Sequence, residues 1–150
     1  MDRTDKEILR LIQRDATLSV NDIADKVGLS TTPCWRRIQL LEKNGVIDKR
    51  VALLNTDKLE LGMTVFVQIK AGRHDSKWLD GFARHAGDME EVLEFFRMSG
   101  EYDYLLKVVV KDMQAFDVFY KKLVNGIELS DVTSSFAMEQ IKYTTALPLG

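Results

Sequence analysis

Cysteine is nearly absent from this chain of 150 residues, in which Cys34 is the only one. A single cysteine cannot form an intramolecular disulfide, and it cannot supply the cysteine pairs of a structural zinc site. The two histidines, His74 and His85, do not occur at metal-ligand spacing. We therefore expect no metal site, and this cysteine usage is typical of a reducing cytosol.

Long apolar runs are lacking as well. No stretch approaches the roughly 18 apolar residues of a membrane span. The first residues do not have the charged and then apolar pattern of a secretory signal. The sequence thus predicts a soluble, cytoplasmic protein with no membrane partner.

A large charge of one sign is also absent, since the formal net charge is −2. The charge is uneven, with a balance of +2 over residues 1–55 and of −4 over residues 56–150. Such a chain is not a generic polyanion binder, so contact with DNA phosphates must depend on individually placed cations. The candidates are Arg36, Arg37, Lys43, Lys49 and Arg50.

Catalytic motifs are missing too. The chain has no Ser/His/Asp or Cys/His arrangement and no glycine-rich loop of the kind that holds phosphates. Neither histidine lies beside a candidate nucleophile. We expect no enzymatic activity and no cofactor.

Residues 29–47 have the pattern of a helix with two different faces. Ser30 and Pro33 favour a helix start, and Asn44-Gly45 favours its end. The apolar positions share one face at spacings i, i+4 and i+7: Cys34, Ile38 and Leu41. The remaining surface offers groups that hydrogen-bond to base edges or phosphates: Thr31, Thr32, Trp35, Arg36, Arg37, Gln39 and Lys43.

Two of these residues have a structural alternative. Arg37 points about 100° away from Arg36 on a helix of 3.6 residues per turn, so it can hold Glu42 or an earlier acid instead. Trp35 can pack on the preceding helix instead of contacting a groove or a sugar.

Two helical patterns precede this segment. Residues 2–15 carry apolar residues at helical spacing behind an acidic first turn. Ser19 and Asp22 have the spacing of a capping box, and Gly28-Leu29 predicts a tight turn. Helix, helix, turn and helix form the helix-turn-helix plan, and the alternative is a three-helix bundle without a ligand. A mixed strand over residues 45–54 is expected to follow.

The second half alternates between strand and helix patterns. Strands are expected over residues 63–69, 92–98, 102–110 and 132–143, and helices over residues 76–86 and 112–125. The order β-α-β-β-α-β predicts a ferredoxin-like antiparallel sheet with both helices on one face. The fold class is α+β, with a helix-turn-helix (winged-helix-like) domain over residues 1–60 and a ferredoxin-like domain over residues 61–150.

The sheet of such a domain has one uncovered face. Apolar side chains that alternate outward would lie in water there: Phe66, Phe95 or Phe96, Phe136 and Met138. Burying each is worth about 1.5–3 kcal/mol, so a second copy is the natural cover and we expect a homodimer. The alternative is that the helices are misassigned and the face is covered within the chain.

Three motifs resemble the Lrp/AsnC family of bacterial transcriptional regulators. Residues 4–9 are similar to its D-x-x-I/L-L opening, and residues 37–47 to its R-I-x-x-L-E-x-x-G-V-I segment. Residues 99–105 resemble its G-x-Y-D turn. The resemblance implies sequence-specific binding to double-stranded DNA and control of amino-acid metabolism genes. It also implies dimers that assemble into octamers or similar rings, with an amino-acid effector bound between dimers.

Residues 31–35 and 131–140 are similar to the family's cysteine-responsive subgroup, which implies cysteine as the effector. An amino acid needs acceptors for its ammonium group and donors for its carboxylate. We expect these from the hairpin after the second predicted strand and from the start of the last strand: Gly100, Glu101, Tyr102, Asp103, Thr133, Ser134 and Ser135. The alternatives are an ordinary hairpin with solvated acids and, for the whole chain, a ligand-binding or architectural module without sequence-specific DNA readout.

Overall fold

The structure is a computed structural model that describes residues 1–150 and contains five helices and four strands. The helices are α1 (Arg3–Ile12), α2 (Val20–Val27), α3 (Thr31–Lys43), α4 (Ser76–Gly87) and α5 (Met113–Val124). The strands are β1 (Met63–Ala71), β2 (Val92–Arg97), β3 (Tyr104–Val110) and β4 (Leu129–Phe136). The chain divides into a helix unit, Met1–Leu53 with Ile141–Gly150, and a sheet unit, Leu54–Gln140.

The first two helices of the helix unit begin with reciprocal caps. The carboxylate of Asp2 accepts a bond from the N–H of Asp5 at 2.8 Å, and the Asp5 carboxylate accepts one from the N–H of Asp2 at 3.2 Å. Ser19 and Asp22 do the same at 3.0 and 3.2 Å, which confirms the predicted capping box. Each cap satisfies N–H groups that a helix start leaves without a partner. The three helices enclose a core of Ile8, Leu9, Ile12, Ile23, Ala24, Cys34, Ile38 and Leu41.

Gly28 makes the turn between α2 and α3. Its φ of +71° lies in the left-handed region, which a residue without a Cβ enters at no steric cost. Its N–H donates to the carbonyl of Ala24, as does the N–H of Leu29 at 2.9 Å. The chain therefore reverses sharply enough for α3 to follow α2 directly, as expected.

The strand expected over residues 45–54 is wrong, because the structure has no strand there. Apolar residues do occur in this segment, but Val51 and Leu53 are 62% and 60% exposed. A strand requires a partner whose N–H and C=O groups complete the ladder, and no other segment of the chain pairs with this one.

The sheet unit has the predicted ferredoxin-like arrangement. Its strands lie in the order β2-β3-β1-β4, and all neighbouring strands are antiparallel. Alternate β1 residues, Val65, Val67 and Ile69, are fully buried with the inward residues of α4 and α5. One sheet face is therefore covered by both helices, and the other, the open face, carries the intervening side chains.

Phe66 and Phe96 are on the open face, where they are 37% and 47% exposed. The outward placement expected for Phe136 is wrong. Phe136 pairs with Val65, and cross-strand partners share a face, so its ring lies 5.2 Å from that of Phe116 on the helix side. Phe95 also packs inward, 5.6 Å from Phe82, so Phe96 is the outward member of that pair.

The last strand is shorter than the predicted range 132–143. It runs from Leu129 to Phe136, and its final ladder bond joins the N–H of Ala137 to the carbonyl of Thr64 at 3.0 Å. The neighbouring strand β1 starts at Met63, so β4 has no partner beyond this point.

Residues 141–150, here called the tail segment, lie with the helix unit. This grouping differs from the expected division near residue 60, which assigned the segment to the second domain. Both apolar and polar contacts hold the segment there, and Leu149 packs against the helix-unit core. The side-chain amide of Gln13 bonds to both the C=O and the N–H of Leu147, and Arg10 donates to the carbonyl of Gly150.

Candidate DNA interface and ligand rim

One side of α3 is exposed along its whole length. It carries Thr32, Trp35, Arg36, Gln39 and Lys43, here called the recognition face. The opposite side is anchored by Cys34, Ile38 and Leu41, which are at most 6% exposed. Burial raises the pKa of the Cys34 thiol, so it packs as a small apolar group. The predicted division of the helix into two faces is confirmed.

Most groups of the recognition face are free. Trp35 is 49% exposed, and Arg36 and Lys43 take part in none of the ion pairs of the structure. Gln39 makes one long bond, 3.4 Å, to Glu42. Side chains without an intramolecular partner can exchange water for base or phosphate contacts without first breaking a bond in the protein.

Arg37 is turned into the helix unit instead. Its guanidinium bonds to the carboxylates of Asp2 and Asp5 at 2.8 and 2.9 Å. Those hydrogen bonds raise the pKa of Arg37 above its ordinary value. The N–H of Asp5 and the guanidinium together lower the pKa of Asp2. Arg37 thus ties α3 to the first turn of α1, which matches its structural alternative.

Thr31 is also engaged inside the unit, because its hydroxyl donates to the amide oxygen of Asn21 at 2.7 Å. This bond joins the starts of α2 and α3. Ser30, the N-cap residue of α3, makes no side-chain capping bond. The first backbone N–H groups of α3 are therefore open at the positive end of the helix dipole, where a phosphate binds favourably.

Two further cations were expected to contact phosphates. Arg50 bonds to Glu42 at 2.9 Å and so is used within the helix unit. Lys49 is exposed and joins no ion pair of the structure. Among the charged candidates, Arg36, Lys43 and Lys49 therefore remain free for a polyanion.

The sheet unit brings part of the second predicted cluster together. The hydroxyl of Tyr102, just before β3, lies 2.9 Å from that of Thr133 on β4, and it donates to Asp131 at 3.5 Å. Lys70 lies over the Tyr102 ring at 5.3 Å and pairs with Glu101 at 3.8 Å. These five residues are here called the hairpin rim.

The other predicted members have different roles. The carboxylate of Asp103 accepts a bond from the N–H of Ala71 at 2.8 Å and so fixes the hairpin to β1. Gly100 has a φ of +143°, which glycine adopts readily. Ser134 pairs with the buried Val67 and therefore faces the helices, whereas Ser135 pairs with Phe66 on the open face. The three neighbouring hydroxyls of β4 thus do not share one face.

Lys70 and Asp131 were not among the ligand-binding residues predicted from the sequence. The signal for Lys70 was present, since it alternates with Phe66 and Gln68 on the open side of β1. Asp131 pairs directly with Lys70 across the strands, a register that no local pattern reveals. Together they give the hairpin rim both a cation and acids, the combination that a zwitterion requires.

Neither unit contains a cluster of three His, Cys, Asp or Glu side chains placed to hold a metal ion. None of the helices combines the length and the apolar character that crossing a bilayer needs.

Both units match models of known protein families. Residues 1–48 match a family model described as winged helix-turn-helix DNA-binding, and residues 64–147 match one described as the Lrp/AsnC ligand binding domain. The chain belongs to the Lrp/AsnC family. Proteins of the Lrp/AsnC family are DNA-binding transcriptional regulators with a separate ligand-binding domain, so the predicted class of protein is confirmed.

Individual Lrp/AsnC relatives match nearly the full length. The chain is 53% identical over 150 residues to the DNA-binding transcriptional activator DecR of Escherichia coli, covering 99% of each chain. It is 58% identical to an AsnC family regulator from Agrobacterium tumefaciens, with a TM-score of 0.96 and coverage of 99% and 97%. A transcriptional regulator from Neisseria meningitidis, solved as a complex with L-methionine, is 35% identical with a TM-score of 0.95 and the same coverage.

Proposed function

We propose that the recognition face reads operator DNA in the major groove. The carrying observation is that Arg36 and Lys43 are exposed and unpaired while the opposite face of α3 is sealed in the core. Arg36 and Gln39 have the donors and acceptors that base edges match, and Thr32 and Lys43 suit the flanking phosphates. Thr31 and Arg37 support this face by holding α3 on α2 and α1.

Replacing Arg36 tests this interface. Operator affinity of Arg36→Ala should fall by about 5- to 150-fold if the side chain contacts a base, the equivalent of about 1–3 kcal/mol. If it contacts a phosphate, the slope of log affinity against log salt should decrease by about one unit. Arg84→Ala is a matched control, because Arg84 is an exposed and unpaired arginine on α4. Unchanged binding of the Arg36 variant across salt concentrations would contradict the assignment.

Selection from random DNA separates this proposal from the architectural alternative. A two-fold symmetric sequence should be enriched if a dimer reads two half-sites. Retention of DNA without any enriched sequence would favour the architectural module.

We infer that a small amino acid binds at the hairpin rim. Glu101 and Asp131 can accept bonds from its ammonium group, while Lys70 and the hydroxyls of Tyr102 and Thr133 can bind its carboxylate. The L-methionine complex of the Neisseria relative supports an amino-acid ligand. The resemblance to the cysteine-responsive subgroup makes cysteine the second candidate.

A thermal-shift screen of the twenty amino acids, starting with L-methionine and L-cysteine, identifies the effector. A ligand at about 100 times its Kd stabilises the protein by roughly 2.7 kcal/mol. Asp131→Asn should remove the shift, and Glu139→Gln, which alters an exposed acid beyond β4, should preserve it. A shift that survives in Asp131→Asn would move the site away from the hairpin rim.

We propose that a second copy covers the open face to form a homodimer, and the family resemblance implies that such dimers assemble further into an octamer or similar ring. Phe66 and Phe96 lie partly exposed there, and burial of each is worth about 1.5–3 kcal/mol. Sedimentation of Phe66→Asp should show smaller species than the parent chain. An identical distribution of species would exclude this face as the dimer contact.

A further inference from the structure

The chain passes between its two units twice. The first crossing is at Leu53–Leu54, and the second is at Gln140–Ile141, where the chain leaves the sheet unit again. Only residues 137–140 separate the end of β4 from the tail segment. The strand that carries Asp131 and Thr133 of the hairpin rim is thus followed closely by residues that pack in the helix unit.

The tail segment is held at a defined place on α1. The side-chain amide of Gln13, the C-cap residue of α1, donates to the carbonyl of Leu147 at 3.0 Å and accepts from its N–H at 2.7 Å. Leu149 packs against the helix-unit core two residues later. Gln13 therefore binds the tail backbone as a neighbouring strand would, through both a donor and an acceptor.

The same helix is fixed to α3 at its other end. Asp2 and Asp5, which begin α1, bond to Arg37 of α3. α1 therefore contacts the tail segment through its last residues and the recognition helix through its first. A displacement of the tail at Gln13 acts on a rigid element that itself positions α3.

We propose that the tail segment is a strap through which ligand binding at the hairpin rim changes DNA affinity. The inference rests on the proposed function, because it takes the hairpin rim as the effector site and the recognition face as the DNA site. The strap has two arrangements, with Leu147 bonded to Gln13 or released from it. An effector shifts the populations of these two arrangements because the sheet unit binds it more tightly in one arrangement than in the other. The sheet unit differs between the two arrangements at the end of β4, which leads into the tail segment.

The contacts of the strap suit a reversible switch. Both Gln13 bonds are exposed, and Leu147 itself is 69% exposed. Exposed hydrogen bonds contribute little net stability because water replaces them, so release costs little free energy. The bonds involve α1 and leave the recognition face uncovered, so the strap changes how α3 is held instead of blocking it.

The decisive measurement is the ratio of operator Kd with and without amino acid, taken for the full chain. The probe is each of the twenty amino acids, starting with L-methionine. The parent chain should show the change of about 5- to 150-fold that is typical of coupled sites. Gln13→Ala should hold the strap in its released arrangement. It should therefore still bind amino acid, but its operator Kd should change by less than about twofold when amino acid is added. Gln114→Ala, an exposed and unbonded glutamine on α5, is the matched control.

Hydrogen exchange at the Leu147 amide gives a second readout. Gln13→Ala should accelerate it, and amino acid should alter it in the parent chain but not in Asp131→Asn. Leu147→Pro removes the same N–H without touching α1 and should lose the response as well.

Three results would overturn the proposal, and they are distinguishable. If amino acid changes the operator Kd of the parent and of both strap variants equally, the tail segment does not couple the two sites, and the proposed DNA and ligand sites are unaffected. If amino acid binds and changes operator Kd without altering hydrogen exchange at the Leu147 amide, the coupling between the two sites does not pass through the tail segment. If no amino acid changes the operator Kd of the parent, the regulatory role proposed for the hairpin rim fails together with the strap.

Discussion

The two units present their candidate sites in opposite states. On the recognition face, Arg36 and Lys43 have no partner within the chain. On the hairpin rim, the polar groups are bonded to each other, with Tyr102 to Thr133 and Lys70 to Glu101. One surface is ready to make contacts, and the other must exchange internal contacts for new ones.

This difference assigns DNA affinity and the response to ligand to different units. A ligand that replaces existing bonds gains only the difference between old and new contacts, so its binding is coupled to a rearrangement of the rim. A face of free cations gains attraction to phosphates without such a rearrangement. The comparison thus predicts that the helix unit supplies DNA affinity and the sheet unit supplies its regulation.

The largest effects should come from the separate cores. Phe119 is fully buried in the sheet unit, and Phe119→Ala should cost about 3–5 kcal/mol of that unit's unfolding free energy. Each unit has one tryptophan, Trp35 in the helix unit and Trp78 in the sheet unit. Denaturant titration followed by Trp78 fluorescence in a Trp35→Phe background measures the loss.

Ile38→Ala is the counterpart in the helix unit, with an expected cost of about 2–5 kcal/mol. Trp35 fluorescence should follow that loss, with Trp78 replaced by Phe. Each core substitution is also measured in the other single-tryptophan background. If it lowers the unfolding free energy reported by Trp35 and by Trp78 equally, the two units unfold as one cooperative body.

The next effect is on ligand affinity. Tyr102→Phe removes the hydroxyl that bonds to Thr133 and should weaken amino-acid binding by up to about tenfold, since one hydrogen bond contributes about 0.5–1.5 kcal/mol. Isothermal titration measures the change. Tyr120→Phe is the control, because the Tyr120 hydroxyl makes no hydrogen bond and lies on α5. Equal affinities of the two variants would show that the rim hydroxyl does not contact ligand.

A smaller effect distinguishes the structural role of Arg37 from the DNA-binding role of Arg36. Arg37→Ala should destabilise the helix unit by about 1 kcal/mol, since partly exposed ion pairs contribute little. Arg36→Ala should leave the Tm unchanged and reduce operator affinity. Parallel melting and gel-shift experiments test these two roles. An Arg37→Ala variant that keeps its full stability but loses DNA binding would show that Arg37 contacts DNA.

The smallest effect is a dependence on pH. The N–H of Asp5 and the Arg37 guanidinium lower the pKa of Asp2 below its ordinary value of 3.8. The Asp2 carboxylate therefore stabilises the fold at neutral pH, and this contribution is lost as pH falls through the lowered pKa. Below about pH 4, the Tm of the parent should fall more than that of Asp2→Asn. Parallel curves for both proteins over this range would show that Asp2 contributes nothing.

Local patterns predicted much of this fold. Cys34, Ile38 and Leu41 recur at helical spacing, and alternate β1 residues are buried, so burial followed directly from periodicity. Ser19 and Asp22 carry a cap signal that depends on only four consecutive residues. Such features need no knowledge of distant segments.

Features decided by distant pairing were not predictable. The face of Phe136 depends on its pairing with Val65, and the Lys70–Asp131 pair depends on the same register. The unpaired segment after α3 has the composition of a strand but no neighbour to bond with. The contact of the tail segment with Gln13 spans most of the chain, and no motif announces it.

The position of the tail segment also constrains biosynthesis. Residues 141–150 leave the ribosome after the whole sheet unit, yet they complete the packing of the first three helices. The amino-terminal bundle can form early, but Gln13 and the core that Leu149 packs against acquire their full surroundings only after the sheet unit has been synthesised. Maturation of the DNA-binding half is thereby tied to completion of the ligand-binding half.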